Sequence, residues 1–177
     1  MAETSHTPSL HVLEPDDGIA NSRLPLAFWK GRLPVEARDG EKACALFRAN
    51  GWGGTWVYTV YPFWHFHTHG HEALACVSGT ARIGFGGDHG IEVEVAVGDV
   101  CIIPAGVGHK RLRASEDFLM AGSYPPGQKG NIVRPGDLDD EGIAGEIAGL
   151  DLPATDPISG EADGIVAIWR EAERRRS

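Results

Sequence analysis

Between Thr55 and Gly122 the chain is cut into short runs rich in Val, Ile, Tyr, Phe and Trp by closely spaced turn residues, and this punctuation limits the fold more than any other feature. With 24 Gly and 11 Pro, the middle of the chain has too many breakers for long helices. Strands are expected near 55–61, 64–67, 72–78, 80–85, 91–97, 100–103, 109–113 and 117–123. Ile91, Val93 and Val95 alternate with Glu92, Glu94 and Ala96 as a half-exposed strand does, and the preceding Gly-Gly-Asp-His-Gly at 86–90 supplies the turn. So many short strands suit an all-β jelly roll or sandwich.

Only the two ends look helical. An extended piece at Leu24 to Trp29 precedes a segment from about Val35 to Asn50 in which Ala43, Leu46 and Phe47 recur at helical spacing, and Asn50-Gly51 supplies a left-handed cap. Beyond Tyr124, Pro125, Pro126, Pro135, Pro153 and Pro157 mark an arm that should wrap over the β core rather than fold alone. A helix from about Asp163 to Arg175, with Ile165, Ile168 and Trp169 on one face, should dock it. The expected organisation is one domain over 1–177, with a barrel core at about 54–124, an N-terminal strand and helix at 24–50 and a C-terminal arm at 125–177.

A net charge of −9 argues against nucleic-acid and anionic-membrane partners, because phosphates are bound by clustered cations. The basic cluster Arg170 with Arg174 to Arg176 alternates with Glu171 and Glu173 and reads as a solvated helix end. No basic segment followed by an apolar stretch opens the chain, and no window holds the ~20 apolar residues of a membrane span, so a cytoplasmic location is expected. Cys44, Cys76 and Cys101 lack paired spacing and should be buried free thiols.

The densest chemistry lies at His65, His67, His69 and His71, beside Glu72. Side chains two apart on a strand share a face, so His65 and His67 can point together into a barrel, with Glu72 arriving from the next strand. A competing register takes His67, His69 and His71, and it needs an unbroken strand through Gly70. Thr68, His69 and Gly70 look like turn residues, and His71 is a candidate to orient Glu72 or a bound water.

His65-Phe-His67, four residues, Glu72, six residues and Gly79 are similar to the first motif of the cupins. Gly98, five residues, Pro104-Ala-Gly106, two residues and His109 resemble the second, with eighteen residues between the motifs. The HxHxxxHE form and the upstream Gly51-Trp52-Gly53-Gly54 also resemble a group of uncharacterised bacterial single-domain cupins. The pattern departs from many cupins at Arg113, where an Asn is common, and at Thr59, where a Gly is common. The resemblance implies an all-β double-stranded β-helix, a jelly-roll barrel, with helical extensions. It also implies a divalent metal ion held by His65, His67, Glu72 and His109.

Three imidazoles and one carboxylate would leave one or two positions open, and suit Mn, Fe, Ni or Zn without choosing among them. The expected function is a metal-dependent enzyme of oxygenase, decarboxylase or isomerase type acting on a small oxygenated metabolite. The alternatives are a non-catalytic metal- or ligand-binding barrel and a partner-binding protein with a vestigial site. Strand parity proposes Tyr61, Phe63, Leu74 and Cys76 as pocket walls, with His71, Tyr61 and Cys76 as acid or base candidates. Arg111 shares parity with His109 and could meet an anionic substrate. A homodimer is expected, with the Leu24 to Trp29 strand pairing across subunits.

Overall fold

In a computed structural model, which describes residues 7–177, the turn-punctuated middle forms two antiparallel sheets that face each other. The larger contains β1 (Ser9–Leu13), β2 (Ser22–Trp29), β7 (Val100–Ile103), β4 (Glu72–Ser78), β9 (Leu119–Tyr124) and β3 (Gly53–Tyr58), in that spatial order. The smaller contains β6 (Ile91–Ala96), β5 (Thr80–Phe85) and β8 (His109–Ala114). The chain crosses from one sheet to the other at β4–β5, β6–β7, β7–β8 and β8–β9, as a double-stranded β-helix does, although no continuous ladder closes the two into one barrel among the described residues.

The central strands of the larger sheet, β2, β7, β4 and β9, are buried on both faces, and strand parity sorts their side chains. Leu74, Cys76, Cys101, Ile103, Leu26 and Phe28 point toward the smaller sheet and pack on Ile83, Phe85 and Val95. Ala73, Ala75, Val100, Ile102 and Ala121 point the other way, against α1 (Gly40–Ala49) and α3 (Gly164–Arg174). Four alanines on that face, Ala27, Ala73, Ala75 and Ala121, let the bulky Phe47, Val166 and Trp169 of the helices approach closely.

The expected N-terminal helix is divided. A 3-10 turn at Val35–Ala37 precedes α1, because the Asp39 carboxylate accepts the Lys42 N–H at 2.9 Å and starts a new helix there. Gly51 ends α1 with φ of 85°, as the cap pattern implied. The C-terminal arm does wrap the core. Buried Asp156 accepts from Arg32 Nη2 at 2.8 Å and from the Ile165 N–H at 2.9 Å, pinning the start of α3 to the β2–α1 connection. Trp52 and Trp169 donate their indole N–H groups to the carbonyls of Thr155 and Pro25. At the chain end, Arg174 and Arg175 pair with Glu171, and Arg176 with Glu173.

Three expectations change. No strand forms at 64–67; His65 and Phe66 make only single bridges, to His109 and Val133, because the pairing with β8 slips at Arg111, whose N–H meets the Tyr61 carbonyl, and the C-terminal arm takes the other side of Phe66. The Leu24 to Trp29 strand is not an edge that could pair across subunits: β1 and β7 of the same chain take its two sides. The arm also holds an unexpected helix, α2 (Asp140–Ile147), whose internal Gly142 and Gly145 conceal it in sequence while Asp139 caps it. Cys44, Cys76 and Cys101 are buried and unpaired, and no helix among the described residues is long and apolar enough to cross a membrane.

Candidate metal centre

Two backbone bonds bring the distant motifs together. The His65 N–H donates to the His109 carbonyl at 3.3 Å, and the His109 N–H returns to the His65 carbonyl at 2.9 Å, so the rings sit 4.2 Å apart. His67 is fixed from the second motif, its carbonyl accepting the Gly106 N–H at 2.8 Å. One ring nitrogen from each of His65, His67 and His109 lies within 4.8 Å of the others, and all three residues are buried. Glu72, at the start of β4, places Oε2 3.0 Å from His67 Nε2 and 3.3 Å from His109 Nε2.

The far side of each ring decides which nitrogen faces the centre. His65 Nδ1 meets the Phe63 carbonyl at 3.0 Å, His67 Nδ1 the Asn131 carbonyl at 2.5 Å, and His109 Nδ1 the Val107 carbonyl at 3.0 Å. A carbonyl only accepts, so each Nδ1 carries a proton and each Nε2 is the atom turned to the centre, where it offers a lone pair to a cation once any proton shared with Glu72 Oε2 is released. Three inward nitrogens beside a carboxylate fit a cation, and carbonyl-anchored imidazoles are the usual outer support of a metal site.

The electrostatics agree. Burial alone would raise the Glu72 pKa, but His67 and His109 outweigh it and hold the carboxyl well below the usual carboxylate range. Burial likewise opposes charge on His67, yet the Glu72 carboxylate prevails and raises its pKa. His65 is pushed down to about 3 by burial, with the neighbouring His109 adding to the effect. The ensemble holds its carboxylate ionised and offers His65 unprotonated.

A second layer fixes Glu72. Its Oε1 accepts from the Tyr124 hydroxyl at 3.1 Å, and that oxygen accepts from Trp56 Nε1 at 2.8 Å. Trp56 lies flat over Gly122, where a Cβ would come within 2.1 Å of the indole. Tyr124 and Asn131 were not singled out in the sequence. Tyr124 shares β9 parity with inward-facing Met120, a usable signal, whereas Asn131 lies in the arm and carries none.

The competing register is not assembled. The Asn131 side chain accepts the Thr68 and His69 N–H groups and bends the chain, so His69 turns outward to Glu146 of α2 at 3.2 Å. His71 faces away from the cluster: its Nδ1 accepts the Ala105 N–H at 2.9 Å and its ring lies 4.7 Å from Trp169. It therefore does not orient Glu72. Burial pushes its pKa from 6.5 down to about 4.

Below pH 6.5 the unfolded chain takes up a proton that the folded state refuses until about pH 4, so His71 stability is lost as pH falls through that window. His71→Gln is expected to remove up to one proton of slope, about 1.4 kcal/mol per pH unit, from urea-unfolding stability between pH 6.5 and 4.5. An unchanged slope would contradict a neutral buried His71.

A cavity of about 320 Å³ opens over the cluster, with Trp56, Tyr61, Leu74 and Tyr124 among its walls. Tyr61 and Leu74 line it as parity suggests, whereas Phe63 stacks behind Tyr61 at 5.1 Å. Cys76 does not reach it: the buried thiol points to the Ser78 and Gly79 carbonyls, and burial pushes its pKa up to about 11. Arg111 donates to Thr59 Oγ1 at 2.8 Å, behind the cavity wall.

No family model matches the chain. It is 36% identical over 157 residues to the uncharacterized protein YjlB of Bacillus subtilis (strain 168), spanning 88% of this chain and 93% of that protein. Among solved structures it resembles an acireductone dioxygenase from Bacillus anthracis with a cadmium ion in its active centre, at TM-score 0.42 and 14% identity over 61% of this chain and 82% of the other. It also resembles a cupin-2 domain containing protein from Shewanella frigidimarina, at TM-score 0.33 and 19% identity over 67% and 79% of the two chains. The extent of the match to YjlB gives the assignment: the chain belongs to the YjlB family, and its two antiparallel sheets, with strands crossing between them, have the architecture of a double-stranded β-helix.

Proposed function

We propose that the chain is a single cupin domain in which His65, His67, His109 and Glu72 hold one divalent ion of the Mn, Fe, Ni or Zn class, and that it is an enzyme acting on a small oxygenated metabolite. The observation that carries this is the inward convergence of three carbonyl-anchored imidazoles on a buried carboxylate beneath a small-molecule cavity. The ion would supply Lewis acidity or oxygen activation there. The chain's own part is positional. Tyr124, itself held by the Trp56 indole N–H, occupies Glu72 Oε1 and leaves Oε2 to the centre, while Trp56, Leu74 and Tyr61 wall the cavity and limit water. Because Cys44, Cys76 and Cys101 are buried without partners, we place the protein in a reducing compartment, the cytoplasm.

One observation favours a second reading, a binding barrel without turnover. Of the acid or base candidates, His71 and Cys76 point away from the cavity and only Tyr61 lines it.

Elemental analysis and metal titration of the purified protein test the centre. About one divalent ion per chain is expected on a single shared site. Since Glu72 raises the His67 pKa above 6.5, a proton competes with the ion at His67, and uptake should weaken as pH falls from neutral toward 6 and below. A protein that takes up none of the four metals at pH 8 would overturn the proposal.

A further inference from the structure

The walls of the cavity carry a preference that the metal cluster alone does not. Among the described residues no Lys or Arg lines it, in a chain whose net charge is −9. Arg111 stands behind the wall, where Nη1 donates to Thr59 Oγ1 at 2.8 Å, and the Arg134 guanidinium sits 3.7 Å above the ring of Phe63, which does not line the cavity. A phosphate or a second carboxylate entering this space would be desolvated without a partner, which costs several kcal/mol.

What the walls offer instead is apolar and aromatic surface. Trp56, Val60 and Leu74 form the interior, while Tyr58, Tyr61 and Ile132 crowd the mouth at 56%, 38% and 45% exposure. Tyr58 meets Tyr61 edge-on at 6.3 Å, and Tyr61 stacks on Phe63, so the mouth presents a short aromatic ladder to solvent. Large apolar side chains gathered around an opening mark a surface that something covers, and flat rings give shape to an apolar partner. The volume, about 320 Å³, lies at the small end for ligand pockets.

We propose that the site selects a compact substrate with an aromatic or apolar body whose polar oxygens are confined to the end that faces the histidine cluster, and that it excludes phosphorylated and multiply carboxylated metabolites. The inference rests on the metal reading above.

Hydroxamates separate the two, because one chelating head can carry different bodies. Calorimetry on zinc-loaded protein, with zinc content measured on the same samples, should find benzohydroxamate bound at least ~10-fold more tightly than acetohydroxamate, since the phenyl ring buries against the walls. The 4-carboxy derivative of benzohydroxamate should bind more weakly than benzohydroxamate by a similar factor. Tyr61→Ala is expected to erase most of the phenyl advantage without changing zinc content, and Ile132→Lys to recover binding of the carboxylated probe. Equal binding of benzohydroxamate and acetohydroxamate with zinc retained would overturn the substrate class and leave the metal centre standing. Tighter binding of the carboxylated probe would do the same. Failure to retain zinc would remove the metal reading and this inference with it.

Discussion

Alanine at His65, His67 or His109 is expected to strip most of the metal from the purified protein, because each removes one of three inward-facing nitrogens that have no substitute among the neighbours described. Glu72→Ala should act similarly, since its Oε2 lies against two of the three rings. Tyr124→Phe removes only the hydrogen bond to Glu72 Oε1, and an outer support of this kind changes metal affinity by about 10- to 100-fold. His69→Ala and His71→Gln should leave metal content unchanged, as one ring faces α2 and the other Trp169. Elemental analysis of the variants, with circular dichroism to confirm folding, reads the order directly. Loss at His69 and His71 with retention at His65 would mean that the other histidine register forms in solution.

Trp169→Ala should be among the most destabilising single changes, by about 3–5 kcal/mol in urea unfolding, as a fully buried tryptophan leaves both a transfer loss and a cavity. Its ring covers the larger sheet on the face opposite the histidine cluster, and its N–H anchors the β2 backbone at Pro25. Trp169→Phe keeps much of the volume and loses that hydrogen bond, for about 1–2 kcal/mol. A cost below ~1 kcal/mol for the alanine would show that α3 contributes little to holding the sheet. The folded fraction of Trp169→Ala should still bind metal, because the cluster lies across the sheet from this residue.

The β core was legible because alternation and turns are local. β4, β5, β6 and β7 lie within a residue of their expected places, since each strand's pattern and its flanking turns agree. Where the reading missed, a distant segment had intervened. β1, Ser-Leu-His-Val-Leu, is a short run outside the turn-punctuated middle that exists through pairing with β2, and α2 contains two glycines that local propensity counts against.

The same division runs through the site. Spacing within the chain marked His65, His67 and Glu72 as neighbours, and the second motif pointed to His109. The reciprocal backbone bonds between His65 and His109, the carbonyls behind each ring and the Trp56–Tyr124 support for Glu72 belong to the assembled fold. His71 makes the point most clearly: in sequence it stands beside Glu72, yet it precedes β4, and the Ala105 N–H holds its ring against Trp169 in the helix-covered core. The sequence by itself determined the strand periods, the turns and which histidines could share a face, because these depend on residues a few positions apart. Only the tertiary structure decided which carbonyl anchors each ring, what walls the cavity and where its cations go, because those partners come from segments that meet only when the two sheets and the C-terminal arm pack together.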